Sequence, residues 1–357
     1  NDVSHRTLSR QYPRFIVRIA ASGRFAPQWR DRHNAFCPFS AMPLSAFIPF
    51  APGTLWRSIV RRSKHAIESG ALHSIDTVAT SVEARGVRFV IRQVSSLARK
   101  ASERRRQGKQ DERGERETPS ADPFLPYDPD LFVADVSATH VALLNKFNIV
   151  EHHLVIPTRA FEEQENLLGL ADFEAWCACL AEFDGLGFYN GGDAAGASQR
   201  HKHMQILPLP LGLDGTGVPI ETLFPDAQQG EQASTLPQLP FEHAFTWLAP
   251  SAPERAARAA FERYEALLDA LDLGVERHDA SACPPQRAPY SLLFTPRWML
   301  LVPRTTECVE GISINALGFA GSLVVRDAAQ METIRQLGPF EVLRRVAREP
   351  RSGVSSE

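Results

Sequence analysis

Apolar residues recur along the chain in runs of strand length, which predicts a framework rich in β-structure. Residues 87–94 (VRFVIRQV) alternate in the way of a half-buried strand, whereas 141–145 (VALLN) and 153–157 (HLVIP) are almost continuously apolar. Further strands are predicted at 187–190, from about residue 200 onwards, and at 244–248, 290–295, 298–303 and 322–325.

Apolar residues at helical spacing predict five helices between and after these strands. In residues 172–183, Phe173, Trp176 and Leu180 fall on one face, and Asp172 stands where a helix cap is expected. The other helices are predicted at 55–70, 252–271, 327–337 and 339–347. This combination of elements indicates an α+β fold.

One strand–turn–strand pattern occurs twice. Residues 142–159 (ALLNKFNIVEHHLVIPTR) and 291–304 (SLLFTPRWMLLVPR) both end in proline and a basic residue. The similarity predicts a duplicated (tandem) unit, although two hairpins can also look alike by chance. The second copy lacks the histidine pair discussed below, so we expect the chemistry to lie in the first half.

Breaks in the pattern divide the chain into a catalytic half at 42–215 and a second half at 240–348 that completes the fold. Residues 216–239 are predicted to be a linker, because this region is rich in Gly, Pro and Gln. Residues 1–41 are predicted to be a basic tail, disordered or not native, with a transit peptide as the alternative. Residues 349–357 are predicted to be a C-terminal tail.

Composition and charge argue against several classes of function. The formal net charge is −3, and the arginine-rich residues 101–120 also carry acidic side chains, so we expect no nucleic-acid partner. No apolar run reaches the roughly 18 residues of a membrane helix, so no membrane partner is expected. The five cysteines form no C-x-x-C pair, which favours a reducing compartment and predicts a cytoplasmic location.

The chemistry is predicted to lie in residues 187–210 (GFYNGGDAAGASQRHKHMQILPLP). On a strand, His201, His203 and Gln205 point to one face because side chains alternate. Glycine lets backbone N–H groups approach a bound anion, and the preceding loop contains Gly191, Gly192, Gly196 and Ser198. A glycine loop that leads into a histidine strand favours chemistry on phosphorus.

A neutral imidazole can attack phosphorus and carry the transferred group as a phosphoramidate, which divides one displacement into two. We predict His203 as the nucleophile, with a backbone carbonyl fixing its tautomer. Gln205 is expected to contact one phosphate oxygen, and Ser198 with the loop N–H groups another. Two other interpretations remain open: a zinc site, for which no C-x-x-C supplies further ligands, or polar histidines at a sheet edge.

The run GASQRHKHMQILPLP resembles the H-x-H-x-Q motif of the histidine-triad superfamily. It is most similar to the branch of diadenosine tetraphosphate phosphorylases (ATP adenylyltransferases), relatives of galactose-1-phosphate uridylyltransferase. The same branch is resembled by the runs DPFLPYDPDLFV, LLNKFNIVEHHLVIPTRAFEEQ, FDGLGFYNGG, WMLLVPR and GISINALGFAG. The likeness covers roughly residues 55–347.

This resemblance implies a histidine-triad-like fold, an antiparallel sheet with flanking helices, and phosphorolysis of diadenosine tetraphosphate to ATP and ADP. His203 would attack the α-phosphate and form an AMP–histidine intermediate, Gln205 would contact that phosphate, and His201 would support the nucleophile. The implied nucleotide and phosphate site consists of Asn145, Lys146, Asn190, Gly196, Ser198, Gln199 and Lys100. Lys64 is a further candidate cation, for which an ordinary surface role is preferred.

Mg²⁺ or a similar divalent cation is expected to arrive with the polyphosphate, and no protein-bound zinc is expected. The expected partners are small molecules (diadenosine tetraphosphate, phosphate, ATP and ADP). Alternatives are the same chemistry on a sugar nucleotide or adenosine phosphosulfate, or a non-catalytic dinucleotide-binding protein. Ser291 and Asp122 stand where the resemblance leads us to expect Asn. The change at Ser291 is expected to loosen a base or ribose contact, and the change at Asp122 to matter less.

Overall fold

A computed structural model describes residues 50–95, 122–225, 232–251, 253–276 and 283–351 of the chain. The predictions for the N-terminal tail, for the arginine-rich loop, for Lys100 and for most of the C-terminal tail therefore concern residues outside these ranges. No helix in the described ranges is both long and apolar enough to cross a membrane.

The described residues form thirteen strands and six α-helices. The strands are β1 Thr77–Ala84, β2 Val87–Val94, β3 Phe132–Asp135, β4 Val141–Leu144, β5 Leu154–Pro157, β6 Gly185–Gly191, β7 His203–Pro208, β8 Ala244–Trp247, β9 Tyr290–Phe294, β10 Trp298–Pro303, β11 Cys308–Val309, β12 Ile312–Ser313 and β13 Ser322–Val325. The helices are α1 Leu55–Glu68, α2 Leu170–Leu180, α3 Pro253–Ala270, α4 Ala316–Phe319, α5 Ala328–Leu337 and α6 Pro339–Val346.

Eight strands form one antiparallel sheet in the order β3-β4-β5-β7-β6-β9-β10-β8. Strands β3 to β7 come from the first half of the chain and β8 to β10 from the second, and they meet where β6 pairs with β9. The two halves therefore share a single sheet, and the predicted α+β fold with an antiparallel sheet is confirmed. Both matched hairpins form, as β4–β5 and as β9–β10.

Each face of this sheet packs against its own apolar core. On one face, Met204, Ile206 and Leu292 pack with residues of α1, α2 and α3. On the other face, Leu207 and Leu293 pack with residues of β2 and of helices α4 to α6. Because side chains alternate along a strand, the odd-numbered residues of β7 lie on this second face, where the histidine motif is also placed.

A second, smaller sheet has the order β1-β2-β13. Strand β2 has the bounds that were predicted, but β1 was not predicted, because its residues TVATSVEA are only partly apolar and mostly half-exposed. Strand β13 pairs with β2 in parallel, which brings the C-terminal part of the chain onto the N-terminal hairpin.

Three local expectations need adjustment. Helix α2 begins after Gly169, so Asp172 is its third residue and not its cap; its carboxylate accepts a hydrogen bond from Gly169 N at 2.6 Å. Strand β7 begins at His203, and His201 precedes it in an isolated bridge to Glu163. Within the predicted linker, residues 219–223 form a 3₁₀ helix that packs into the second core.

Candidate active site

The first residue of β7, His203, is buried with 5% of its surface exposed. Its Nδ1 lies 2.8 Å from the carbonyl oxygen of His201. A carbonyl only accepts hydrogen bonds, so Nδ1 carries the proton and Nε2 keeps its lone pair. Burial lowers the pKa of His203 to about 4, although the hydrogen bond to His201 acts in the opposite direction. At neutral pH the ring is therefore the uncharged tautomer that a nucleophile requires.

A glutamine of the preceding segment holds the backbone of this histidine. The Oε1 atom of Gln164 accepts a hydrogen bond from His203 N at 2.8 Å, and its Nε2 donates to Asn190 O at 2.9 Å. Gln164 thereby joins β7 to β6 where their ladder ends. Gln164 ends the run LLNKFNIVEHHLVIPTRAFEEQ and was not predicted as a site residue.

The ring of His201 is more deeply enclosed, with 1% exposed. Its Nδ1 lies 2.7 Å from Oδ2 of Asp122, and its Nε2 lies 2.8 Å from the carbonyl oxygen of Thr158. Phe124 covers both histidines, with ring centroids 5.5 Å from His201 and 5.3 Å from His203. Asp122 and Phe124 therefore form one wall of the site.

Gln205, the third motif residue, is paired across the sheet with Val155 and Phe188. Near it lies a third buried histidine, His153, whose Nδ1 is 3.1 Å from the amide nitrogen of Asn145. Because that amide donates, Nδ1 of His153 accepts and Nε2 carries the proton. Burial lowers the pKa of His153 to about 4, which agrees with a neutral ring. Its Nε2 is buried and makes no direct hydrogen bond within the described residues, and the nearby Gln205 side chain acts to raise the pKa of the ring.

His153 was not predicted as a site residue, although the signal was present. It is the first residue of the predicted strand at 153–157, and it lies two residues before Val155, which is opposite Gln205. Asn145 also binds its own turn, since its Oδ1 accepts from Phe147 N at 3.0 Å. The structure thus brings together His153, Asn145, Gln205 and His203.

The glycine loop is shaped by left-handed backbone at Gly192 and Gly196, both with φ of 89°. A Cβ atom at Gly196 would lie 3.0 Å from the carbonyl oxygen of Ile314, so the close approach requires glycine. The amides of Ala195, Gly196 and Ala197 bond to carbonyls within the loop itself. These three donors are therefore unavailable to an anion, contrary to the expectation for the loop N–H groups.

Of the two residues that follow the loop, Ser198 is exposed and Gln199 is half-buried. Their backbone amides make no hydrogen bond within the described ranges, and they lie directly before the histidine motif. They are thus two backbone donors of this segment that remain open to a ligand.

Asn190 is buried, and its side chain ties the glycine loop to the second half of the chain. Its Oδ1 accepts from Ala316 N at 2.8 Å, at the start of α4. Ser291 faces Asn190 in register on β9, and its hydroxyl accepts from the guanidinium of Arg304 at 3.0 Å. Arg304 also donates to the Ala195 carbonyl at 3.1 Å, and this hydrogen bond holds the glycine loop in place. Burial lowers the pKa of Arg304 to about 10, which leaves it charged at neutral pH.

The lysines behave differently from one another. Lys146 is about half-exposed and lies 3.7 Å from Asp128, and Lys64 is a surface residue of α1, 3.9 Å from Glu68. The Lys64 contact matches the ordinary surface role preferred for it. Lys202, inside the motif, is buried on the opposite face of the sheet from the nucleophile.

The ammonium group of Lys202 lies 2.8 Å from Asp172, which in turn contacts His140 at 2.9 Å. Burial alone would lower the pKa of Lys202, but the charge of Asp172 raises it above its ordinary value. Burial would likewise raise the pKa of Asp172, but Lys202 and His140 hold it below its ordinary range. Lys202, Asp172 and His140 therefore stabilise β7 on the face of the sheet opposite His203 and are not part of the site.

Cysteine chemistry and metal ligation find no support in the described ranges. Burial raises the pKa of Cys177 to about 12, which keeps its thiol protonated and unreactive. Within the same ranges, no group of three or more His, Cys, Asp or Glu side chains could hold a metal ion.

A neutral buried histidine at the end of a glycine loop, carried by an antiparallel sheet, is the arrangement of a nucleotidyltransferase. Comparison with protein families agrees. The Ap4A phosphorylase N-terminal domain matches residues 45–226, and the ATP adenylyltransferase C-terminal domain matches residues 237–349. The chain belongs to the Ap4A phosphorylase (ATP adenylyltransferase) family.

Two similar proteins come from Saccharomyces cerevisiae. Diadenosine 5',5'''-P1,P4-tetraphosphate phosphorylase 2 is 25% identical over 241 residues, which cover 60% of this chain and 72% of the relative. Protein APA1 is 22% identical over 306 residues, which cover 77% of this chain and 88% of the relative.

Solved structures share the fold. The crystal structure of yeast Ap4A phosphorylase Apa2 matches with a TM-score of 0.68 at 20% identity and covers 84% of this chain and 96% of its own. The same protein in complex with Ap4A matches with a TM-score of 0.65 at 19% identity, with 84% and 98% covered.

Proposed function

We propose that this chain catalyses the reversible phosphorolysis of diadenosine tetraphosphate to ATP and ADP through an AMP–histidine intermediate. The observation that carries the proposal is the buried, neutral His203, whose Nδ1–H is bound to the His201 carbonyl and whose Nε2 is left to react. Membership of the Ap4A phosphorylase family supports the substrate, and the enzyme relative from yeast is named for the same reaction.

In the first step, the lone pair on Nε2 of His203 forms a bond to the α-phosphorus, and the bond from that phosphorus to the bridging oxygen breaks. ATP leaves with the electron pair. The ring becomes cationic and keeps its Nδ1 proton, which the His201 carbonyl holds at 2.8 Å. In the second step, an oxygen of inorganic phosphate bonds to the phosphorus, the P–N bond breaks, and ADP is released.

Negative charge grows on the α-phosphate oxygens during both steps, so the site must supply donors to them. Gln205 is the motif residue that we assign to this contact. The backbone amides of Ser198 and Gln199 are suited to a second oxygen, because neither is bound within the described structure. The neutral His153 presents its Nε2–H on the same face as Gln205 and is a third donor of suitable chemistry.

The polyphosphate carries several charges, and the half-exposed Lys146, next to Asn145, remains a candidate for neutralising part of them. We assign the rest to Mg²⁺, held chiefly by substrate oxygens and water, because the described residues offer no cluster of ligands for it. Lys100 remains a candidate for the same charges. We also propose a cytoplasmic location, which the free thiols of Cys177, Cys179, Cys283 and Cys308 support.

The test is to incubate the protein with diadenosine tetraphosphate labelled in the adenosine, with and without phosphate, and to separate the products. We expect phosphate-dependent ATP and ADP, and, without phosphate, an acid-labile label on the protein. His203→Ala should remove both signals. His65→Ala, an exposed histidine on α1, is the matched control and should retain both.

Other products would favour the alternatives. AMP in place of ADP would indicate hydrolysis. Transfer of UMP to a hexose phosphate, or of AMP from adenosine phosphosulfate, would indicate a related nucleotidyltransferase. Binding of the dinucleotide by wild-type protein without an adduct or turnover would contradict the proposed mechanism and indicate a binding protein.

A further inference from the structure

The ring of His201 contacts oxygen atoms at both nitrogens, and these atoms act as acceptors when Asp122 is ionised. Nδ1 lies 2.7 Å from the carboxylate of Asp122. Nε2 lies 2.8 Å from the carbonyl oxygen of Thr158 and 3.0 Å from the hydroxyl oxygen of the same residue. That hydroxyl donates its hydrogen to the carbonyl of Ala160 at 2.7 Å, so it too acts as an acceptor towards the ring.

A neutral imidazole has one N–H and one lone pair, and it would place a lone pair against an acceptor at one of these two ends. With Asp122 ionised, only an imidazolium satisfies both contacts, because both of its nitrogens donate; the other arrangement places that proton on Asp122, and the resonance test below distinguishes the two. We propose that Asp122 holds His201 as a buried imidazolium, and that Asp122 is a positioning residue that acts on the nucleophile through this ion pair. Its kinetic consequence rests on the proposed function, whereas the protonation state of the ring does not.

The surroundings make Asp122 the carboxylate responsible. The His201 side chain is 1% exposed and that of Asp122 is 23% exposed, so the pair is shielded from solvent. The ring also packs against the aromatic rings of Phe124 and Phe161. An unpaired imidazolium in this environment would be strongly disfavoured.

Other charged groups nearby are engaged elsewhere. Glu163 bridges to His201 through the backbone only, and its carboxylate binds Arg200 at 2.6 Å. Glu162 binds Lys202 at 3.2 Å. Arg159, next to Thr158, is paired with Asp135.

The family resemblance leads us to expect Asn at position 122. Aspartate at this position changes what the residue can do for His201. An Asn amide can donate to a neutral ring at Nδ1 while Nε2–H still binds Thr158, so it keeps the geometry without the charge. An aspartate instead stabilises the second proton on His201. The residue at position 122 therefore decides the charge of the histidine next to the nucleophile.

Two routes connect this pair to the chemistry. The carbonyl that orients His203 belongs to His201, so a ring clamped at both ends also fixes the peptide that holds the nucleophile. The positive charge of His201 also helps to keep His203 unprotonated. The weaker, opposite influence of Asp122 on His203 is consistent with its outer position.

The direct test is nuclear magnetic resonance of the full chain with ¹⁵N-labelled histidine, with His201 assigned from the signal lost in His201→Asn. At pH 7 we expect both ring nitrogens of His201 to be protonated in the wild type and one in Asp122→Asn. Asp130→Asn, which removes a carboxylate 3.0 Å from the exposed His65, is the matched control and should leave His201 unchanged. A singly protonated His201 in the wild type, or a doubly protonated one in Asp122→Asn, would overturn the proposal.

Kinetics then test whether Asp122 acts through His201. We expect Asp122→Asn to lower kcat about tenfold with little change in KM. The acidic limb of the rate profile should also move to higher pH, because a neutral His201 no longer lowers the pKa of His203. In a His201→Asn background the same substitution should have no further effect. Additive losses, or an unshifted limb, would refute the positioning role. If wild-type protein shows no phosphate-dependent turnover, the proposed function fails, and the resonance experiment still decides the ion pair.

Discussion

Replacing Lys202 with methionine is expected to destabilise the fold strongly, even though this lysine lies between two active-site histidines. Its ammonium group is 1% exposed and binds Asp172 at 2.8 Å, Glu162 at 3.2 Å and the Leu167 carbonyl at 3.1 Å. Methionine fills the same volume but leaves Asp172 buried without its main counter-charge. Breaking a buried pair in this way costs about 3–5 kcal/mol of unfolding free energy.

The partners that remain set the magnitude. After the substitution, Asp172 keeps the His140 ring at 2.9 Å and the Gly169 amide at 2.6 Å, so we expect a loss near the lower end, about 3 kcal/mol. Adding Asp172→Asn in the same chain removes the stranded charge and should recover part of the loss. Glu162 is partly exposed and can be solvated, so it contributes less.

The assay is urea unfolding at pH 7, followed by the fluorescence of tryptophans such as Trp176, which is buried and donates to the Gln205 carbonyl behind the site. Lys64→Met is the matched control, because Lys64 is exposed in an i,i+4 pair, and such pairs contribute less than about 0.5 kcal/mol. A loss below about 1 kcal/mol of unfolding free energy for Lys202→Met would refute the reasoning, because removing the lysine that compensates a buried charge should destabilise the fold by more than that.

The ionised carboxylate of Asp172 also determines how the stability of the fold changes with pH. The pKa of Asp172 is lowered in the folded state, so its contribution is present above the ordinary carboxyl range and is lost as the pH falls below it. In wild-type protein we therefore expect stability to decline on acidification below about pH 4. In Lys202→Met this decline should be weaker, because the folded-state preference for the carboxylate is reduced; an equally steep decline in both proteins would contradict the assignment.

Three further outcomes follow from the site. Gly196→Ala forces a left-handed backbone and a 3.0 Å contact with the Ile314 carbonyl, so we expect a loss of about 1–3 kcal/mol in unfolding free energy and weaker dinucleotide binding in titration calorimetry. Gly215→Ala, with φ of 84° but open space around it, is the control and should retain full binding. Gln164→Ala leaves the His203 amide unpaired, and we expect kcat to fall about tenfold or more at similar KM; an unchanged kcat would exclude a role in positioning. Burial lowers the pKa of His203 and of His153 to about 4, so the unfolded chain binds more protons between that value and about 6.5. The contribution of these histidines to stability should therefore decrease as the pH falls through this window, and His203→Gln should reduce the slope there in acid-titrated urea curves.

Much of the fold was accessible from local patterns. The strand at β2, the hairpins β4–β5 and β9–β10 and the helices α3, α5 and α6 lie close to their predicted bounds, because each has a clear apolar period or turn signal. Strand β1 was missed since it lies at the edge of the small sheet, where half-exposed positions tolerate polar residues and blur the alternation. The packed 3₁₀ helix within the predicted linker was missed because Gly, Pro and Gln interrupt that segment, so its buried residues, such as Ile220, show no regular apolar period.

The amino-acid sequence by itself determined the chemical identity of the site. Strand alternation placed His203 and Gln205 on one face and Lys202 on the other, and this follows from backbone geometry alone. Tertiary structure decided which residues meet that face. Asp122 and Thr158 reach His201, and Gln164 reaches His203, from segments 39 to 79 residues away in the chain. No local period encodes such pairings, because they arise only when separate strands are brought into register. The protonation state of His201, and with it the role of Asp122, is therefore a property of the assembled fold.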